Sequence, residues 1–159
     1  MKNGAEILCF LQSNKIGGFE DLDNRVDEMH KRLNSTSDEV KKVERRIKTL
    51  KEHLYQSGHY KEHRSLRRQY DRLCAASEEA KTVSGFFAER KAQKALEEAN
   101  AFYEANRTGL TLFDTAEKYL RGVLQERFDP KKLPPISAWE KELAENLPRK
   151  TRCIGSIIC

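Results

Sequence analysis

The chain has little of what β-sheet folds, secreted domains and membrane proteins require. Its 159 residues include 8 glycines and 4 prolines, and β-branched residues are few, so a sandwich, a barrel or a doubly wound sheet is disfavoured. No apolar run approaches the ~18 residues of a membrane span. The short apolar segment at 7–11 follows Glu6, so we predict neither a signal peptide nor a membrane anchor. The 4 cysteines are scattered, which argues against a disulfide framework and predicts a cytoplasmic location.

What the chain does contain is typical of long helices. Ala, Glu, Lys, Leu and Arg make up roughly half of it, while apolar residues reach 38% and charged residues 35%, with a mean hydropathy of −0.80. We therefore predict an all-α fold, an elongated antiparallel helical hairpin or bundle with coiled-coil seams. The expected organisation is a long-helix region over 1–128, a proline-rich linker over 129–136, a short capped helix over 137–148 and an irregular tail over 149–159.

The strongest pattern is an apolar heptad seam in the first half of the chain. Apolar residues recur at alternating spacings of three and four, and only one polar residue interrupts them. We predict one helix over 19–57 that ends at Ser57-Gly58, because glycine suits the left-handed position that follows a helix C-terminus. A second helix over 60–82 would then return antiparallel to the first. The seam consists of Phe19, Leu22, Val26, Met29, Leu33, Thr36, Val40, Val43, Ile47, Leu50 and Leu54.

A third helix is predicted over about 86–127. Its seam is rich in alanine in the first half, which permits close approach of another helix. Its weak point is Gly109, because glycine costs ~1 kcal/mol relative to alanine inside a helix. After the linker, the capping box formed by Ser137 and Glu140 predicts the start of the short helix, and Pro148 predicts its end.

Positive charge is concentrated in residues 41–72. This stretch holds eleven Lys/Arg and four Asp/Glu in a chain of net charge +5, as an interaction surface would. In the predicted hairpin the two basic runs lie side by side, so we predict a phosphate-binding tip that contacts nucleic acid. A solvated helix face without a partner is the alternative interpretation. The candidate residues are Lys41, Lys42, Arg45, Arg46, Lys48, Arg64, Arg67, Arg68 and Arg72.

The motifs of common catalytic and cofactor sites are missing from the sequence. There is no glycine-rich phosphate loop, no Gly-x-Ser-x-Gly, no His-Glu-x-x-His and no paired cysteine motif. His59 and His63 are four apart and share a helix face, but no third soft ligand is near in sequence. Lys61 and Arg64 also make the position cationic, so we interpret the histidines as a surface pair and predict no metal site. We predict no catalytic residue and no cofactor.

Four segments carry a resemblance to a known family. They read Phe19-x-x-Leu-Asp-x-x-Val-Asp-Glu-Met, Val43-Glu-Arg-Arg-Ile-Lys-Thr-Leu-Lys-Glu-His, Ala88-Glu-Arg-Lys-Ala-Gln-Lys-Ala-Leu and Leu124-Gln-Glu-Arg-Phe-Asp-Pro-Lys-Lys-Leu-Pro-Pro-Ile. Over about residues 6–147 the chain resembles the C-terminal helical region of relaxases, the mobilisation nucleases of Firmicutes mobile elements. The block at 129–136 is the most specific part. The resemblance implies a role in conjugative transfer, downstream of a DNA-nicking domain.

The resemblance also implies what the chain lacks. A relaxase nicks DNA with a tyrosine nucleophile and a histidine-bound metal in an N-terminal domain, whereas this sequence has no His-hydrophobe-His cluster. We therefore expect a non-catalytic protein that binds DNA without sequence preference and that contacts a relaxase nicking domain or other transfer proteins. The alternative hypothesis is a structural protein that self-associates through its heptad seams and has no nucleic-acid role.

Overall fold

The computed structural model describes residues 2–82 and 86–158, and the side chains within 4–80 and 89–155. It contains helices α1 (Lys2–Ser13), α2 (Phe19–Thr82), α3 (Phe86–Leu124) and α4 (Ile136–Ile158), with a 3-10 turn at Gln125–Arg127. About 91% of the described residues are helical, so the prediction of an all-α fold is confirmed. The stretch predicted as a linker is non-helical from 128 to 135. Within the described ranges, no helical stretch offers a lipid bilayer a continuous apolar span.

Helix α2 is longer than predicted because it does not end at Ser57-Gly58. It runs unbroken for 64 residues. Ser57 is completely buried and Tyr60 is 1% exposed, so the chain is packed on both sides of Gly58. This packing outweighs the cost of about 1 kcal/mol that one glycine imposes on a helix. The basic residues 41–72 therefore follow one another along a single helix, and the predicted turn between them is wrong. The predicted interval between the second and third helices, residues 83–85, lies outside the described residues.

Helix α4 also continues where the sequence indicated an end. It includes Pro148 and extends to Ile158, so the predicted boundary at 148 is wrong. The irregular tail predicted over 149–159 is wrong as far as 158, and residue 159 lies outside the described residues. Proline removes its own N–H donor, but the side chains beyond it contact another helix. Lys150 Nζ lies 2.9 Å from Glu44 Oε1, and Cys153 Sγ lies 4.0 Å from Glu39 Oε2. These contacts hold the C-terminal turns against α2.

The chain divides into two compact units, and unit 2 comprises residues 48–143. Its contacts pair α2 with α3 in reverse order, so the two helices are antiparallel here. His53 contacts Tyr119, Tyr60 stacks on Phe113 at 4.9 Å between ring centroids, and Tyr70 contacts Tyr103. The first turns of α4 complete the core. Its buried members are Leu50, Tyr60, Phe113, Ala116, Leu120 and Trp139.

Unit 1 comprises residues 1–47 and 144–159. Within it the heptad seam changes from exposed to buried along α2. Val43 and Ile47 are 4% and 8% exposed, as the seam predicts. Val26 is 41% exposed and Met29 60% exposed, so the same pattern lies open to solvent nearer the N-terminus. Helix α1 also exposes apolar side chains, namely Ile7, Leu8 and Phe10.

Helix α3 deviates from helical geometry close to its predicted weak point. The deviation lies at Asn106, with φ −118° and ψ 15°, and the Asn106 side-chain amide donates to the Phe102 carbonyl over 2.9 Å. Gly109 lies inside the helix and faces α2. A Cβ atom at Gly109 would lie 3.0 Å from Leu66 Cδ1 and 3.2 Å from His63 Nδ1. Glycine at this position therefore lets α3 approach α2 closely.

Replacing Gly58 by alanine is expected to raise the free energy of unfolding by about 0.5–1 kcal/mol. The added Cβ would meet no atom within 4 Å, so only the gain in helix propensity counts. Gly109→Ala is the matched control, because there the same gain is offset by the contacts with Leu66 and His63. Urea unfolding followed by circular dichroism checks both variants. A loss of stability in Gly58→Ala would indicate a left-handed helix end at this position.

Candidate nucleic-acid interface

The nine predicted basic residues lie in both units of the chain. Lys41, Lys42, Arg45 and Arg46 belong to unit 1, and Lys48, Arg64, Arg67, Arg68 and Arg72 belong to unit 2. Because α2 has no turn at Gly58, the two runs are not brought side by side as the hairpin required. Only the members of unit 2 are therefore considered as one surface.

Arginines converge on a hollow of about 310 Å³ in unit 2. It lies where α2, α3 and the segment after the 3-10 turn meet, and the rings of Tyr60 and Phe113 form part of its wall. Such a mixture of guanidinium groups and aromatic rings suits the phosphates and bases of nucleic acid. The lining residues are Tyr60, Arg64, Arg67, Arg68, Asp71, Phe113, Glu117, Arg121 and Pro130.

Two of these arginines also hold the unit together. Arg67 donates from Nε to Asp71 over 2.9 Å and from Nη1 to Asp114 of α3 over 2.7 Å. Arg64 donates from Nη2 to the Pro130 carbonyl oxygen over 2.6 Å. Arg67 and Arg64 therefore link the helices and the linker to each other, and only part of their five N–H donors each is left for an external anion.

Arg68 and Arg72 are the exposed members of the predicted set on this part of α2. Neither makes a hydrogen bond or ion pair in the part of the chain that the structure describes. They are four residues apart and so share one helix face, to which Lys61 also belongs. Lys48 lies about 200° around the helix axis from Arg68 at about 100° per residue. The structure therefore separates Lys48 from this face.

Arg121 lines the same hollow, and the sequence analysis did not single it out. It lies on α3, where Nη2 donates to Glu117 over 2.7 Å and the guanidinium carbon lies 4.8 Å from the centroid of the Phe128 ring. No charge run marks this position in the sequence. Only the antiparallel pairing of α3 with α2 could have placed it beside Arg64 and Arg68.

Tyr60 at the wall of the hollow is protonated well into the alkaline range. Burial raises the pKa of Tyr60, and the neighbouring Arg64 opposes this shift only in part. Its hydroxyl donates to the Pro130 carbonyl oxygen over 3.3 Å. Burial likewise raises the pKa of Tyr119, whose hydroxyl lies 2.9 Å from His53 Nδ1. Both phenols are therefore neutral at physiological pH.

These shifts predict that stability falls as the pH rises above 10. In the unfolded chain these tyrosines have the ordinary pKa of 10.0, and in the folded chain their pKa is higher. Between these two values the unfolded chain loses a phenol proton that the folded chain keeps, so unfolding becomes more favourable as the pH rises. Urea unfolding between pH 8 and pH 11 checks this. Tyr60→Phe should show a shallower alkaline decline than the parent, whereas Tyr55→Phe, at a side chain 58% exposed, should decline as the parent does. Equal slopes for both variants would contradict the assignment.

A second group of polar side chains lies on α2, outside the lining of this hollow. One nitrogen of His59, one of His63 and a carboxylate oxygen of Glu62 lie within 4.8 Å of one another. From the sequence, the two histidines are predicted to be a surface pair with no third soft ligand nearby. The carboxylate between them, at the third position after His59, supplies a third ligand. This is the only such group of three among the residues that the structure describes.

A scan against protein-family models, a search of curated proteins and a search of solved structures each found no match to this chain. The resemblance to relaxases therefore stays a prediction.

Proposed function

We propose that this chain is a helical module that binds the phosphate backbone of nucleic acid without sequence preference, through the arginine face of unit 2. The observation that carries the proposal is the convergence of Arg64, Arg67, Arg68 and Arg121 on one hollow with aromatic walls. Contacts from guanidinium groups to phosphates fix a protein on nucleic acid but carry no base information. The resemblance to relaxases supports a place for this binding in conjugative DNA transfer, with a nicking domain or other transfer proteins as partners.

The roles of the arginines differ within this proposal. Arg67 and Arg64 shape the surface because part of their donors bind within the unit, and Arg68 and Arg72 supply the more accessible positive charge. Asp71, Asp114 and Glu117 neutralise part of the positive charge of these arginines. The electrostatic attraction for phosphate is therefore moderate. We therefore expect affinity that is micromolar or weaker at physiological salt, as non-specific binding usually shows.

The double variant Arg68→Gln/Arg72→Gln is expected to bind DNA more weakly than the parent and with a shallower salt dependence. Each lost phosphate contact lowers the slope of log K against log salt by about 0.9 on duplex DNA, so the expected decrease is up to about 1.8. Fluorescence anisotropy with an arbitrary duplex over a salt series measures it.

Arg90→Gln/Lys94→Gln is the matched control for this experiment. These two residues are also four apart on an exposed helix face and also lack a described hydrogen bond or ion pair. Removing them changes the net charge by the same amount but leaves the hollow intact. The parent slope is therefore expected for the control. Equal slopes for the two double variants would refute the proposed surface.

The exposed part of the heptad seam favours a second candidate function, self-association. Phe19, Val26, Met29 and Leu33 are between 41% and 87% exposed, and they keep the three-and-four spacing that a second helix of the same kind can pack against. A second copy of this chain would bury these side chains, which monomeric proteins seldom leave open in a continuous row. Light scattering after size-exclusion chromatography tests this function, because a monomer at all concentrations would exclude it.

A further inference from the structure

We infer that His59, Glu62 and His63 form a binding site for a divalent transition-metal ion of the zinc type. The three residues occupy positions i, i+3 and i+4 of α2, so their side chains emerge from adjacent turns on one helix face. Two imidazole nitrogens with one carboxylate oxygen are the ligand types that zinc, cobalt, nickel and copper prefer. Magnesium and calcium need more oxygen ligands than this site has.

The ligand atoms lie close enough together to hold such an ion once the side chains rotate. Glu62 Oε2 lies 3.9 Å from His59 Nδ1 and 3.9 Å from His63 Nε2. Ligand atoms about 2.0–2.1 Å from a tetrahedral zinc ion lie about 3.4 Å from each other. The Glu62 side chain is 68% exposed and can rotate to close the difference. The two imidazole rings are parallel to within 6°, with their centroids 5.9 Å apart, so at least one ring must turn about its Cβ–Cγ bond before both nitrogens point at one ion.

The imidazole of His59 is buried at both nitrogens, and neither nitrogen has a hydrogen-bond partner among the described residues. A buried polar atom without a partner costs about 1–3 kcal/mol. A metal ion bound at Nδ1 would remove this cost for one of the two nitrogens, which an ordinary surface histidine pair does not require.

Helix α3 orients the second imidazole. Gly109 faces the His63 ring, where an added Cβ would lie 3.2 Å from Nδ1, so Nδ1 is directed at α3 and Nε2 at Glu62. Of the two cations that flank the site in sequence, Arg64 donates instead to the Pro130 carbonyl oxygen, and Lys61 is exposed to solvent. Three protein ligands leave a position that water fills, as in open zinc sites.

Metal titration of the full chain tests the site. The four cysteines are first alkylated, because thiolates also bind zinc. Isothermal titration with ZnCl2 and the visible absorption of Co²⁺ then report binding, and zinc should raise the melting temperature by mass action on the folded state. We expect one ion per chain with micromolar affinity.

Single substitutions separate this site from adventitious binding. His59→Gln and His63→Gln should each weaken zinc binding at least tenfold and abolish the rise in melting temperature, and Glu62→Gln should weaken binding by a smaller factor. His30→Gln, at an exposed histidine of the same helix, should bind as the parent does. Circular dichroism confirms that each variant is folded. Absence of binding in the parent, or parent affinity in His59→Gln, His63→Gln or Glu62→Gln, would overturn the assignment.

Discussion

Replacing Val43 by aspartate is expected to lower the free energy of unfolding by at least about 3 kcal/mol. Val43 is 4% exposed, so the new carboxylate would either stay charged without a partner in an apolar environment or force the helices apart. Both outcomes are costly, because desolvation of an unpaired charge is not compensated. Urea unfolding followed at 222 nm measures the loss.

Val26→Asp is the matched control, since it places the same substitution on the same seam of the same helix. Val26 is 41% exposed, and valine and aspartate have similar helix propensities, so the change should cost about 0.5 kcal/mol or less in the isolated chain. In a self-associated state the same aspartate would lie in the interface and dissociate it. Equal destabilisation of the two variants in dilute solution would contradict the difference in burial.

Trp139→Ala is expected to lower the free energy of unfolding by about 3–5 kcal/mol. Trp139 is 8% exposed and belongs to the core of unit 2, where its ring lies 4.9 Å from that of His53 between centroids. The substitution removes the largest side chain that α4 contributes to this core and leaves a cavity. Thermal and urea unfolding by circular dichroism measure the effect, because the only tryptophan is lost as a fluorescent probe.

Leu147→Ala provides the comparison on the same helix. Trp139, Leu143 and Leu147 are spaced four residues apart along α4, but Leu147 is 46% exposed. Its truncation should therefore cost about 1 kcal/mol or less. If Trp139→Ala cost no more than Leu147→Ala, the first turns of α4 would not belong to the core.

The sequence predicted which residues are helical better than it predicted where the helices end. The seam from Val43 to Leu54 was correctly identified because burial imposes a period that is visible in the sequence. The ends at Gly58 and Pro148 were wrong because both signals are local. Each residue lowers helix stability by a limited amount, and contacts with residues far along the chain decide whether the helix continues. Those contacts have no local signature.

For the basic surface, too, the sequence does not show which side chains make contacts with distant parts of the chain. Arg67 and Arg68 are adjacent and carry the same charge. Arg67 nevertheless binds Asp114, whereas Arg68 faces solvent. The two side chains point in directions about 100° apart around α2. Which of them reaches α3 can be decided only when the position of α3 is known. The histidine cluster, in contrast, was recognisable from the spacing of His59, Glu62 and His63, and it was missed because only soft ligands were sought.

The division of the chain into units has a consequence for the order in which it folds. Unit 1 joins the first 47 residues to the last 16, and unit 2 is one continuous stretch between them. The contact of Cys153 with Glu39 spans 114 residues, so closing it from a fully unfolded chain carries a large loop entropy. During synthesis the N-terminal part of α2 emerges long before its partner from α4. Once unit 2 has folded, fewer flexible residues separate the two segments of unit 1. These segments can then meet at a lower entropic cost.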